Sequence, residues 1–199
     1  FGAVAVNGVA PRATIIPAKV LGQATFGWSS MLAAGIVYVT GGYPPVRPVY
    51  AVKAGSTGDI SLGKGVTSSE AIAWSNDREG TYIPTPLLYR DILYTLNSNG
   101  ILTAYRATSG ERLYRARVGG GGAFSASPVA ADGRIYFANE DGDVFIVKAG
   151  PEYLEMGKQS MNEAIMATPA ISDGLLLIRT LGHLYGIGEP ASSRPKTLR

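Results

Sequence analysis

The chain has one histidine, His183, and no cysteine. Imidazole is the usual general base near neutral pH, but neither a serine nor an aspartate can be matched to His183 from spacing, so it reads as the first residue of a strand. Without cysteine there are no disulfides, thiolate metal sites or thiol nucleophiles. The segment Asn139-Glu140-Asp141-Gly142-Asp143 offers oxygen ligands at alternate positions, as calcium loops do. It lacks the full loop length and the distal glutamate, and it stands where the rest of the chain has plain turns, so it reads as a turn. Gly119-Gly120-Gly121-Gly122 has the glycines of a phosphate loop but no following Lys-Ser/Thr and no helix; it reads as a flexible connector. The remaining prospect is a rigid, partly aromatic insert, Tyr43-Pro44-Pro45-Val46-Arg47-Pro48. Loops on a rigid scaffold are where binding concentrates, so Tyr43, Pro44, Pro45 and Arg47 are the candidate binding residues. The long loop Gly55–Ser69 is the second such departure. No catalytic residue and no metal ligand is assigned.

The elements behind these residues are legible from internal similarity. Thr85-Pro86-Leu-Leu-Tyr-Arg-Asp91-Ile-Leu-Tyr94 aligns with Ser127-Pro128-Val-Ala-Ala-Asp-Gly133-Arg-Ile-Tyr136 and with Thr168-Pro169-Ala-Ile-Ser-Asp-Gly174-Leu-Leu-Leu177. The prolines stand 42 and then 41 residues apart. An earlier copy, Ser30-Met31-Leu-Ala-Ala-Gly35-Ile-Val-Tyr38, begins 55 residues before the Thr85 copy, so its unit carries an insertion. A second feature follows in each unit. Asn97-Ser-Asn-Gly100, Asn139-Glu-Asp-Gly142 and Leu181-Gly182 each precede an apolar run. Asn-Gly and Asp-Gly between apolar runs are strong hairpin signals, because type I′ turns need positive φ. A third feature is a turn leading to a more charged strand, as in Ala107-Thr-Ser-Gly110-Glu-Arg-Leu-Tyr114-Arg115.

Four short strands in about 42 residues, with no helical period, predict an all-β propeller of about four antiparallel blades. One blade cannot bury both its faces, so blades stack. The blades fall at about 29–80, 81–122, 123–163 and 164–188. Residues 1–28 fit the repeat poorly; Val4–Val6 or Thr14–Ile16 is a possible strand of a neighbouring or closing blade. The last unit lacks its outer strand, and residues 189–199 read as a disordered tail. The 199 residues are 46% hydrophobic and 17% charged, which a packed core requires. The net charge of +3 is mild and there is no basic stripe with interleaved aromatics, which argues against nucleic acid. No apolar run reaches the length of a membrane span. The start at Phe1 without a leader-like segment points to a piece of a longer chain.

The pattern Ser/Thr-Pro, Asp-Gly-x-Ile-Tyr, Asn-Gly or Asp-Gly, then Ala-x-Ser/Thr-Gly-Glu-x-x-Tyr resembles the pyrroloquinoline-quinone-like (PQQ-like) propeller repeat over residues 29–188. Tyr114 and Trp74 stand where that repeat usually carries Trp. Tyr50–Ile60 and Ala131–Phe137 are similar to bacterial members described by their likeness to the outer-membrane β-barrel assembly lipoprotein. The resemblance implies a ring of seven or eight blades, of which this chain is the C-terminal half; a closed four-bladed ring is the other geometry. It further implies a periplasmic or envelope location. The quinoprotein dehydrogenases of the family carry a vicinal cysteine pair, a calcium site and a catalytic aspartate. The pair is absent and the rest is not recognisable here, so no cofactor is expected, and PQQ enters through the resemblance alone. The expected function is a non-enzymatic scaffold binding a protein partner, besides the missing blades of the parent chain. Two alternatives stand: a fragment of a quinoprotein-like oxidoreductase, and a propeller that binds carbohydrate or a small ligand.

Overall fold

A computed structural model describes residues 18–19, 28–33, 35–41 and 46–188. No helix occurs among them, so none is long and apolar enough to cross a membrane. β1 (Ala18–Lys19) is followed by the first blade, built from β2 (Trp28–Ala33), β3 (Ile36–Gly41), β4 (Val49–Lys53) and, after the short β5 (Gly58–Asp59), β6 (Ile72–Asn76). The second blade is β7 (Leu87–Tyr89), β8 (Ile92–Leu96), β9 (Ile101–Arg106) and β10 (Arg112–Arg117). The third is β11 (Val129–Ala131), β12 (Arg134–Ala138), β13 (Asp143–Lys148) and β14 (Glu155–Ser160). The fourth has three strands among the described residues, β15 (Ala170–Ser172), β16 (Leu175–Arg179) and β17 (Leu184–Ile187). Each blade is an antiparallel meander in chain order. Sheets with this local connectivity are what tight turns between apolar runs produce. The four sheets are partial-propeller blades and, among the described residues, do not close into a ring.

The turns explain themselves. Between the first two strands of a blade, Asp132-Gly133 and Asp173-Gly174 take positive φ, and so do Arg90 and Asp91. That is the type I′ geometry that suits right-twisted strands. The next hairpin is clamped by its first residue. Asn97 Oδ1 accepts from Ile101 N–H (2.8 Å), Asn139 Oδ1 from Asp143 N–H (2.7 Å), and Thr180 Oγ1 from His183 N–H (3.1 Å). The acidic segment 139–143 is thus the third blade's copy of an ordinary turn. Among the described residues no three His, Asp or Glu side chains are grouped to hold a metal.

The core lies between blades. Tyr38, Val49, Ala51 and Trp74 meet Leu93, Tyr105 and Ala107 at the first interface. Tyr94, Leu96, Leu102 and Ala104 meet Ile135, Phe137, Phe145 and Val147 at the second. Ala138, Val144 and Ile165 meet Ile178 at the third. Middle strands covered on both sides read as continuous apolar runs for this reason. β1 lies parallel against β5 of the long loop and is not a strand of any blade. The other segments expected to supply a strand, Val4–Val6 and Thr14–Ile16, lie outside the described residues, as does 189–199.

Candidate functional site

The first two interfaces are built on the same device. The second strand carries a tyrosine at one fixed position, Tyr38, Tyr94 and Tyr136, and the fourth strand carries the residue beside it, Trp74, Tyr114 and Gly157. This pair seats the turn between the third and fourth strands of the next blade. Tyr38 OH (3.1 Å) and Trp74 Nε1 (2.7 Å) both donate to the Ala107 carbonyl. The fit is close: a Cβ on Gly110, at φ +72°, would stand 2.5 Å from the Trp74 ring. In the second interface Gly150 N–H donates to Tyr94 OH (3.0 Å), and Tyr153 meets Tyr114 edge-on at 5.9 Å. Burial raises the Tyr38, Tyr94 and Tyr114 phenol pKa values above the ordinary value, so all three hold their protons at neutral pH.

Among the described residues, the third copy of this seat borders a cleft. Tyr136, Ile146 and Gln159 form one wall of a cleft of about 1150 Å³, and Ile171, Leu176 and Ile187 form the other. The residues corresponding to 149–154 begin at 189, outside the described residues. Ile187, whose counterpart Val147 is fully buried, is 44% exposed. Polar groups stand at the rim: Asp132, Arg134 and Asp173. The far side of the fourth blade is barer still. Leu184 is 73% exposed, while its counterparts Leu102 and Val144 are 0% and 4% exposed.

The other residues singled out from the sequence are scattered. Tyr43, Pro44 and Pro45 lie outside the described residues. Arg47 is half-buried, and its backbone is tied down: its N–H donates to the Asp77 carbonyl (3.0 Å), and its carbonyl accepts from Gly80 N–H (2.8 Å). Arg47 belongs to the first blade and is not part of the cleft. His183 has a partner that spacing did not reveal: its Nδ1 lies 2.6 Å from Glu163 Oε1. Glu163 also accepts from Thr180 Oγ1 (2.6 Å) and Gly182 N–H (3.0 Å). The Thr180 hydroxyl first, then the Gly182 amide, hold this carboxyl below its ordinary pKa. Thr180 spends its hydroxyl proton on the carboxylate, so the group ties a blade connector to a hairpin and presents no nucleophile. Glu79, two interfaces earlier, likewise ties a blade connector to the next blade, taking the Tyr105 hydroxyl and Arg112 (3.0 Å). No sequence signal marks either glutamate, since neither lies in a repeated segment. The tyrosines at 38, 94 and 136 were marked, by their constant offset from the preceding turn.

Gly119–Gly122 is more than a flexible link. Gly119 N–H donates to Glu155 Oε2 (3.0 Å), and a Cβ at Gly119 would stand 2.2 Å from Phe145 Cε1. The loop 55–69 is likewise not a free excursion. Its Ile60 is buried on the first blade with Tyr50, Val52 and Ile72.

No protein-family model matches the chain. A stretch of 122 residues is 25% identical to the outer membrane protein assembly factor BamB of Burkholderia pseudomallei, covering 60% of this chain and 31% of that protein. Among solved structures, BamB of Moraxella catarrhalis superposes with a TM-score of 0.57 at 16% identity, over 77% of this chain and 43% of that one. A quinohemoprotein alcohol dehydrogenase of Pseudomonas putida superposes with a TM-score of 0.54 at 14% identity, over 75% of this chain and 27% of that one. The chain spans about a third of the length of the curated relative it matches. With its repeated antiparallel units and interblade tyrosine seats, the chain has the fold of a run of propeller blades and is similar to BamB.

Proposed function

We propose that the chain is a protein-binding scaffold of the bacterial cell envelope, located in the periplasm, with no chemistry of its own. The observation that carries this reading is the apolar exposure of the fourth blade: among the described residues Leu184 is 73% exposed at a position that is sealed in the second and third blades. An apolar blade face is complementary to another packed protein surface rather than to a sugar or a quinone. The likeness to an outer membrane protein assembly factor supports an envelope setting and a partner from an assembly machinery. The loop carrying Tyr43, Pro44, Pro45 and Arg47 is a second, smaller contact in this reading.

The test is retention of envelope proteins on the immobilised chain, compared with Leu184→Lys and with a chain whose residues 43–48 are replaced by a short turn. Retention is expected to fall at least tenfold for Leu184→Lys and more modestly for the loop variant. Equal retention by all three would defeat the proposal. Reconstitution with PQQ and calcium is expected to produce neither quinone absorbance nor dye reduction; either signal would favour the oxidoreductase alternative.

A further inference from the structure

Ser/Thr-Pro recurs at the start of the second, third and fourth blades, as Thr85-Pro86, Ser127-Pro128 and Thr168-Pro169. Each stands just before the short inner strand of its blade, β7, β11 or β15. Pro86, Pro128 and Pro169 are all buried. Each of these inner strands is hydrogen-bonded within its sheet on one side only, to β8, β12 or β16. The backbone groups of its other edge go unused by its own sheet, and an edge of that kind can pair with a neighbouring strand.

The blades are joined here by side chains instead. Thr85 N–H donates to Ser127 Oγ (2.9 Å), and Ser127 N–H donates to Thr168 Oγ1 (3.1 Å). The partners are 42 and 41 residues apart, one repeat each. Ser127 therefore serves twice. Its hydroxyl takes the amide of the second blade, and its own amide goes to the hydroxyl of the fourth. Both bonds run in the same direction along the array. The proline that follows has no N–H, so no second rung can form beside the first. It also holds the residue before it in an extended conformation, which fixes the backbone that carries the donor.

We infer that the hydroxyl of Ser/Thr-Pro is a blade-to-blade tie: a single, directional hydrogen bond that fixes neighbouring blades to one another at inner edges whose strands do not pair. A full ladder would hold adjacent inner strands about 4.8 Å apart along their length and merge two blades into one sheet. One bond fixes them at one point and leaves the rest of each strand to follow its own sheet. The first position then needs a hydroxyl, because an apolar residue there would leave the amide of the preceding blade without its acceptor. The tie is independent of what the chain binds.

Amide hydrogen exchange at positions 85 and 127, followed by NMR on the full chain and corrected for the intrinsic rate of each sequence, tests the tie. Ser127→Ala removes the acceptor of Thr85 and is expected to speed exchange at Thr85 by about fivefold or more, with the amide at position 127 unchanged. Thr168→Val keeps the side-chain shape without the hydroxyl. It is expected to speed exchange at Ser127 to a similar extent and to leave Thr85 unchanged. Ser127→Thr retains a hydroxyl and is expected to preserve both rates. Unchanged exchange at Thr85 in Ser127→Ala and at Ser127 in Thr168→Val overturns the tie. So does an equal acceleration at both amides and throughout the strands, which is the signature of a general loss of stability. Should Ser127→Ala not fold, Thr168→Val, at an exposed residue, decides alone by the rate at Ser127 relative to that at Thr85.

Discussion

At the scale of single residues, close contacts between blades decide which substitutions matter. Gly119 combines a φ of +54° with the ring of Phe145 at the place its Cβ would occupy. Left-handed backbone costs about 1–2 kcal/mol in a residue with a Cβ, and overpacking adds about 1–3 kcal/mol. Gly119→Ala is therefore expected to lose about 2–4 kcal/mol in urea unfolding. Its neighbour Gly120, with open space around it, should tolerate Ala within about 0.5 kcal/mol. The tyrosines give a pH signature. Burial, then Glu155, raises the Tyr153 pKa to about 12, and burial, then Glu79, raises that of Tyr105 further. A raised folded pKa means the fold favours the protonated phenol. That contribution is complete below the ordinary value of about 10 and fades as pH climbs from there through the folded values. Phenolate absorbance should thus show Tyr153 ionising near pH 12 and Tyr105 only as the fold is lost. A single ionisation of all 11 tyrosines near pH 10 with the fold intact would contradict it. The turn residues of this chain were legible because Asn-Gly and Asp-Gly act on their own backbone. Glu79 and Glu163 were not, because Arg112 and His183 lie 33 and 20 residues away.

Among the elements, the fourth strand of the first three blades repeats one irregularity. The register skips Ala73, Leu113 and Met156, so each strand carries a bulge at the same place. A bulge strengthens local twist and re-aims the next side chain, here Trp74, Tyr114 and Gly157. The third blade has lost the aromatic. A Cβ at Gly157 would meet nothing within 4 Å, and its φ is not left-handed. Gly157→Tyr should restore the seat, raise strand propensity and bury part of the ring in the cleft. A gain of about 1 kcal/mol, or about 3 °C in thermal unfolding, is expected; a lower melting temperature would show the cleft wall to be tuned for glycine. The strands and their order were readable from the repeat. The packing of residues 54–71 on the first blade was not, because the segment occurs once and its target is a face assembled from β3, β4 and β6.

For the whole molecule, stability is the sum of blades and the interfaces between neighbours. The same position should therefore carry very different weight along the array. Leu102→Ala empties a sealed interface and should cost about 2–5 kcal/mol, while Leu184→Ala, at a bare face, should stay within about 0.5 kcal/mol. Chemical denaturation of the two variants measures this directly, and equal costs would mean that the fourth blade's far face is packed in solution.

The sequence alone determined the unit: strand lengths, hairpin turns and the repeat period follow from local φ preferences and apolar runs, which act over a few residues. It also implied that blades must stack, since no single unit can bury two apolar faces. Which faces meet was settled only by tertiary structure. The cover of Val52 by Ile60, the cleft beside Tyr136 and the exposure of Leu184 among the described residues depend on contacts between segments far apart in the chain. Leu184 and Leu102 are both leucines; only the cover each receives among the described residues distinguishes them.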